Sequence, residues 1–125
     1  MELKSKLYLI DEQGEKFMGI GVLWLLEEIA RCSSLRKAAL VLGISYSKAY
    51  GMIENLEKGL NIKMLERKRG GSSREGATLT KAAERFIVIY RTFHLEAKER
   101  LEAPYEAFIE AMKSVVEEDD EHKDL

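Results

Sequence analysis

One cysteine (Cys32), one proline (Pro104), one tryptophan (Trp24) and two histidines (His94 and His122) are spread over 125 residues. A single cysteine excludes an intrachain disulfide and points to a reducing compartment, here the cytoplasm. The histidines have no cysteine or carboxylate at metal-ligand spacing, so neither a metal site nor any other cofactor is expected. No run approaches the roughly 18 apolar residues of a membrane span. The best candidate, IGVLWLLEEIA, is broken by Glu27 and Glu28. The first residues, MELKSKLYLIDEQ, lack the basic, apolar and cleavage regions of a signal peptide. The acidic EEDDEHKD run lacks the central glycine and alternating ligands of a calcium loop. With no nucleophile–base pair and no nucleotide-phosphate loop, an enzyme is not expected.

What is present is charge, and it is unevenly placed. Residues 1–30 carry three basic and six acidic groups, residues 31–81 eleven and four, and residues 82–125 six and twelve. The formal total is −2, yet the middle is +7 between two negative ends. A basic middle is what a polyanion-binding module attached to a non-binding part shows. Chance segregation on a solvated surface is the alternative.

The stretch from Leu35 to Leu60, LRKAALVLGISYSKAYGMIENLEKGL, falls inside that middle. Its periodicity predicts two short helices joined by a tight turn. Ala38, Ala39 and Leu42 share one side of the first, Gly43 suits the turn, and Ile44 closes the corner. Ser45 is placed to cap the second helix, where Ala49, Met52, Ile53 and Leu56 recur with a period near 3.6. Small residues at 38, 39 and 49 allow two helices to cross closely. This is helix-turn-helix patterning, in which the second helix is presented to the major groove of DNA. An ordinary pair of packed helices is the competing reading.

The flanks add detail. Residues 6–18 predict a small β-hairpin around the polar turn DEQGE. Gly21 to Cys32 predicts a helix with a broad apolar band, Val22, Leu23, Leu25, Leu26, Ile29 and Ala30. Trp24 beside that band is either core or an anchor in a dimer interface. Cys32 reads as a small buried residue. Ser34 is a candidate N-cap, and Gly59 and Asn61 suit a helix end. Ile62, Met64 and Leu65 form a short apolar tether. Two short strands, 65–69 and ATLT at 77–80, then flank GGSSREG and predict a wing. Its Gly70, Gly71, Ser72 and Ser73, with Arg67, Lys68, Arg69 and Arg74, suit phosphate contact, because glycines let backbone amides approach and the cations neutralise charge.

Thr80 is placed to cap a long helix with an apolar face through Phe86, Tyr90, Phe93 and Leu101. Pro104 kinks it or opens a second helix carrying Tyr105, Phe108, Ile109, Met112 and Val116. That extension either packs back on its own domain or dimerises. The dimer reading places Leu23, Trp24, Phe93, Leu101, Tyr105, Phe108 and Met112 at the interface of a homodimer. Residues 117–125 read as an acidic disordered tail.

If Ala49, Met52, Ile53 and Leu56 are buried, Ser45, Tyr46, Ser47, Lys48 and Tyr50 lie at or near the exposed front and are the candidate base contacts. Tyr46 has a second reading as a brace between the two helices. Gly51 leaves a gap that lets the helix sit deeply. Arg36, Lys37 and Lys58 are phosphate candidates, with Asn55 nearby.

These residues carry a family likeness. GISYSKAY at 43–50, followed by ER at 66–67, GG at 70–71, GA at 76–77 and LT at 79–80, resembles the N-terminal DNA-binding domain of molybdate-responsive regulators, the ModE family. That family is similar in turn to the helix-turn-helix of LysR-type regulators. The likeness spans roughly residues 19–95. It implies a winged-helix domain that dimerises through its terminal helices and binds double-stranded DNA at a palindromic operator. By position, Ser45 to Lys48 fall at the start of the family's recognition helix, and Gly70 to Gly76 at its wing. Molybdate is bound in that family by separate C-terminal domains. Their absence from these 125 residues leads to the expectation that no small-molecule effector site is encoded here, and sets molybdate sensing in question.

The expectation is therefore a mainly α fold with a small β component, a winged helix-turn-helix with a long C-terminal dimerisation helix. It divides into a hairpin at 1–18, the winged domain at 19–95, a helical extension at 96–116 and the tail. The expected function is sequence-specific DNA binding as a dimeric transcriptional regulator. The alternative is a winged-helix protein-interaction module, suggested by the acidic ends and by Glu75 in the wing.

Overall fold

Met18, Leu25, Leu26, Ile29, Leu56 and Met64 are fully buried side chains drawn from separate stretches of chain, and the fold is the arrangement that brings them together. The computed structural model describes residues 1–67 and 76–123. In order these contain β1 (Tyr8–Ile10), β2 (Lys16–Gly19), α1 (Ile20–Cys32), α2 (Leu35–Leu42), α3 (Tyr46–Leu60), β3 (Leu65–Arg67), β4 (Ala77–Leu79), α4 (Lys81–Glu99) and α5 (Glu102–Lys123). The expected fold class holds: mainly helical, with two small antiparallel sheets and a long C-terminal helix pair. The chain forms two units, Lys6–Thr92 and Met1–Ser5 with Phe93–Leu125.

In the first unit, β1 and β2 pair antiparallel with a bulge between Leu9 and Ile10. The Asp11 carboxylate accepts from the amides of Gln13 and Glu15, both at 2.9 Å, and Gly14 takes φ +81°. Alternation then decides the faces. Leu7 and Leu9 turn inward while Tyr8 and Ile10 face water, and Lys16 Nζ stands 4.8 Å from the Tyr8 ring centroid.

Helix α1 buries Leu23, Leu25, Leu26 and Ile29 and ends at Ser33 in the left-handed region. The placing of Leu23 at a dimer interface is corrected here, and of the two readings of Trp24 the core one is excluded. Leu23 is 3% exposed, a core residue with no surface left for a dimer partner, whereas Trp24 is 53% exposed and is not core. They are neighbours in sequence, but about 100° apart around the helix, which is enough to separate interior from solvent. Cys32 is half-buried, its thiol donating to the carbonyls of Glu28 (3.0 Å) and Ser34 (3.4 Å).

Three hydroxyls cap three helices as their sequence positions predict. Ser34 Oγ accepts from Lys37 N at 3.1 Å, Ser45 Oγ from Lys48 N at 3.0 Å, and Thr80 Oγ1 from Ala83 N at 3.0 Å. Each satisfies an amide that the first helical turn leaves open. Ala38, Ala39 and Ala49 are buried where α2 and α3 cross, and Gly43 closes α2 at φ +70°. Asn61 ends α3 in the left-handed region. Gly59 lies in the last turn of α3, at the helix end as expected, where a Cβ would meet the Phe17 ring at 2.5 Å. Helix α3 thus carries a glycine because β2 lies against it. Ile62, read as part of an apolar tether, is 46% exposed, and Met64 and Leu65 supply the buried part.

Ala83, Ile87 and Tyr90 anchor the first part of α4 in the core, and Arg91 pairs with Glu27 at 2.7 Å.

In the second unit, Lys98 Nζ donates to the Ser5 hydroxyl at 2.8 Å and also to its carbonyl, while Tyr105 Oη donates to Met1 O at 2.9 Å. Residues 1–5 therefore belong with the C-terminal helices rather than with the hairpin. Pro104 sits in the first turn of α5, where a missing N–H costs nothing. The helix continues to Lys123, so the disordered tail expected from residue 117 is helical over its described part. Its acidic residues carry no glycine or proline to break a helix already under way.

Candidate nucleic-acid interface

Helix α3 is held so that one face is committed to the core and the opposite face is free. Ala49, Ile53 and Leu56 are buried, and Met52 and Tyr46 pack against the same cluster. At about 100° per residue the far side is the row Ser47, Gly51, Glu54, Asn55 and Lys58, with Lys48 on its edge. Ser47, Lys48, Glu54, Asn55 and Lys58 are all exposed.

The candidate base contacts divide. Ser47 and Lys48 stand on the outward face at the N-terminal end. Ser45 is exposed, but its Oγ is engaged as the α3 cap. Tyr46 is half-buried, with the Arg36 Cζ 4.4 Å from its ring centroid and the Tyr50 ring 6.3 Å away. It therefore braces the two helices, the second of its two readings. Tyr50 is 38% exposed and lies to the side of the outward row.

Arg36 and Lys37 are exposed in the first turn of α2, near the N-terminal end of α3. Lys58 and Asn55 have different company. They line a groove of about 990 Å³ together with Asp11, Glu12, Glu15 and Lys16 of the β1–β2 turn. Three carboxylates beside the C-terminal half of α3 make that half a poor place for phosphate, whereas Arg36, Lys37 and Lys48 give the N-terminal half a positive character.

Strands β3 and β4 pair antiparallel, Leu65 with Leu79, Glu66 with Thr78 and Arg67 with Ala77. Their root is tied down on two sides. Glu57 Oε2 accepts from the amides of Met64 (2.7 Å) and Leu65 (3.4 Å), binding β3 to α3. Gly76 bridges Ser34, and the Ala77 amide donates to Ser33 O at 3.1 Å, binding β4 to the α1–α2 junction. Thr80 closes the root by donating its hydroxyl to Lys63 O at 2.8 Å. The wing thus leaves the body beside α3. The candidate contacts Lys68, Arg69, Gly70, Gly71, Ser72, Ser73 and Arg74 lie outside the described residues, as does the side chain of Arg67.

Sequence reasoning singled out neither Glu54, exposed on the outward row, nor Glu57, which ties β3 to α3. Glu54 could have been found by extending the outward row one turn past Gly51. The use of Glu57 as a cap for the next strand had no local signal.

Of the residues expected at a dimer interface, Phe93 and Phe108 are exposed (48% and 52%), and Leu101, Tyr105 and Met112 are half-buried. The Tyr105 hydroxyl is bonded to Met1 within its own unit.

A helix pair crossing on small residues, a free outward face on the second helix and a two-stranded sheet rooted beside it define a winged helix-turn-helix domain, a regulatory rather than a catalytic class. The chain belongs to the bacterial regulatory helix-turn-helix proteins of the lysR family, whose pattern matches residues 21–84. It is 38% identical over 66 residues to the transcriptional regulator ModE of Haemophilus influenzae, covering 53% of this chain and 26% of that one. It is 30% identical over 89 residues to the molybdenum transport protein ModE of Herbaspirillum seropedicae, covering 71% of this chain and 31% of that one. The chain therefore spans less than a third of the length of these curated relatives. Among solved structures, the CbnR DNA-binding domain in complex with DNA is 26% identical with a TM-score of 0.56, covering 72% of this chain and 97% of that one. No described helix is long and apolar enough to cross a membrane.

Proposed function

We propose that this chain is a transcriptional regulator of ModE-like type that binds duplex DNA sequence-specifically as a homodimer. The observation that carries the reading is the outward face of α3, where Ser47, Lys48 and Gly51 stand opposite the buried Ala49, Ile53 and Leu56. In this reading the N-terminal part of α3 enters the major groove, Ser47 contacts base edges, Lys48 binds a phosphate beside them, and Tyr50 flanks them. Arg36 and Lys37 bind phosphates on one side, and residues 67–74 bind backbone or minor groove on the other. A 26% identical domain solved in complex with DNA supports DNA as the ligand.

The homodimer reading draws on the exposed Phe108, Val115 and Val116 of α5 and on Trp24 of α1. A two-fold protein binds a two-fold site with half-sites separated by about one helical turn of DNA.

Fluorescence anisotropy with the chain's own promoter region and an unrelated duplex, over a series of salt concentrations and with or without molybdate, tests this. The expected result is tight binding to the first, a steep salt dependence and no molybdate effect. Equal weak affinity for every duplex overturns sequence-specific regulation. A stable protein complex with no DNA binding even at low salt favours an interaction module instead.

A further inference from the structure

The glycines of the helix-turn-helix have different reasons to be there. Gly43 takes φ +70°, and Gly59 lies under the Phe17 ring. Gly51 has neither reason: it is helical, and a Cβ on it would meet nothing within 4 Å. A glycine inside a helix costs about 1 kcal/mol against alanine, and nothing among the described residues offsets that cost. The vacant position is at the centre of the outward face, so what it accommodates comes from outside.

One turn beyond Gly51 on the same row stands Glu54, exposed. Its helix neighbour Glu57 is fully employed, holding the amides of Met64 and Leu65. Glu54 is not: among the described residues no cation and no hydrogen-bond donor pairs with it, Lys58 four residues on included. A carboxylate carried into a groove walled by phosphates raises the Coulomb cost of approach. That cost is compensated where the carboxylate accepts from a base amino group. In the major groove cytosine offers its N4 amino group, whereas adenine sets the acceptor N7 beside its N6 amino group and repels a carboxylate there.

We propose that Glu54 is a specificity-determining residue, accepting a hydrogen bond from the N4 amino group of a cytosine at one position in each half-site, with Gly51 as the gap that lets α3 come close enough. This rests on the duplex-DNA reading given above. It sets Glu54 apart from Lys48 and Lys37, whose positive charge serves affinity for any sequence.

Selection of bound sequences from a random duplex pool, with the whole chain and its Glu54→Gln and Glu54→Ala variants, tests it. The wild type is expected to enrich a C·G pair at one position per half-site, and to lose about tenfold in affinity when that pair is changed. Glu54→Gln moves the preference there to A·T, because an amide matches the N6 and N7 of adenine. Glu54→Ala loses preference at that position alone, and its retained preferences elsewhere report that it is folded. Identical preferences from all three proteins overturn the assignment and leave the DNA reading standing. So does uniformly tighter binding by Glu54→Ala with an unchanged site, which makes Glu54 only a repulsive charge. No enrichment by the wild type overturns the DNA reading, and this assignment with it.

Discussion

The Arg36 guanidinium, in the first turn of α2, stands over the ring of Tyr46, the first residue of α3, with Cζ 4.4 Å from the ring centroid. The turn between the two helices is thus clamped from outside as well as by the alanines within. An exposed cation–π pair contributes about 0.5–1 kcal/mol. A double-mutant cycle with Arg36→Ala and Tyr46→Ala, read by urea unfolding, is expected to give a coupling energy of that size. Strictly additive losses would show that the pair does not hold the turn.

Two alanine substitutions on α3 are expected to act in opposite directions. Gly51→Ala raises stability by about 1 kcal/mol, because the helix gains a better former and no clash, yet weakens binding to the selected duplex. Gly59→Ala lowers stability by about 1–3 kcal/mol through overpacking against Phe17. Thermal unfolding and anisotropy on the two variants check both statements. Equal effects on stability would contradict the division between an outward and a packed glycine.

The root of the wing depends on Glu57. Glu57→Ala leaves the Met64 and Leu65 amides without their carboxylate acceptor. The expected loss is about 1.5–3 kcal/mol, the range for hydrogen bonds to a charged group. Glu54→Ala, on the same helix and exposed, is expected to change stability by less than about 0.5 kcal/mol. Urea unfolding of the pair distinguishes a structural glutamate from a free one.

Alkaline pH gives a separate check on the core. Burial of Tyr90 pushes its phenol above the ordinary value of 10.0, so the fold favours the neutral form. The unfolded chain then releases that proton first. The contribution is fully present below about pH 10 and falls away as pH rises through the higher folded value. Tyr90→Phe is expected to lose less stability than the wild type between about pH 10 and the onset of alkaline unfolding. Parallel curves would contradict the burial effect.

Lys37 and Lys48 differ from Ser47 in what they are expected to do. Removing either lysine weakens binding to all duplexes and lowers the salt slope by about 1 for each phosphate that is no longer neutralised. Ser47→Ala leaves the slope in place and changes which site is preferred. Anisotropy over a salt series, on selected and unrelated duplexes, separates the two behaviours.

How much was legible in the sequence depended on how local the physics was. Helix periodicity, the caps at Ser34, Ser45 and Thr80, the turn at Gly43 and the hairpin over residues 6–18 are all set by neighbours a few residues apart. They were readable for that reason. The burial of Leu23 and exposure of Trp24 depended on where the other elements fell around a helix that is apolar nearly all round. The place of Gly59 under Phe17 and the capping of β3 by Glu57 join separate elements, with no trace in either segment alone. In the acidic tail, charge suggested disorder, but a helix entering without a breaker carried on to Lys123. Within the candidate interface, Ser47 and Lys48 followed from the wheel. Ser45 and Tyr46 were readable as residues, but the ring contacts of Tyr46 with Arg36 and Tyr50 join two helices and show only in the geometry at the turn.

Whether α3 meets DNA with its outward face is the central question for this domain. Backbone amide shifts of the isotopically labelled chain, followed as the selected duplex is added, measure this. The expected result is that the largest changes fall on residues 45–54 and on Arg36 and Lys37, with α5 beyond Pro104 little affected by the duplex itself. Changes confined to α5, or none at concentrations where an unrelated duplex also fails to bind, would contradict it.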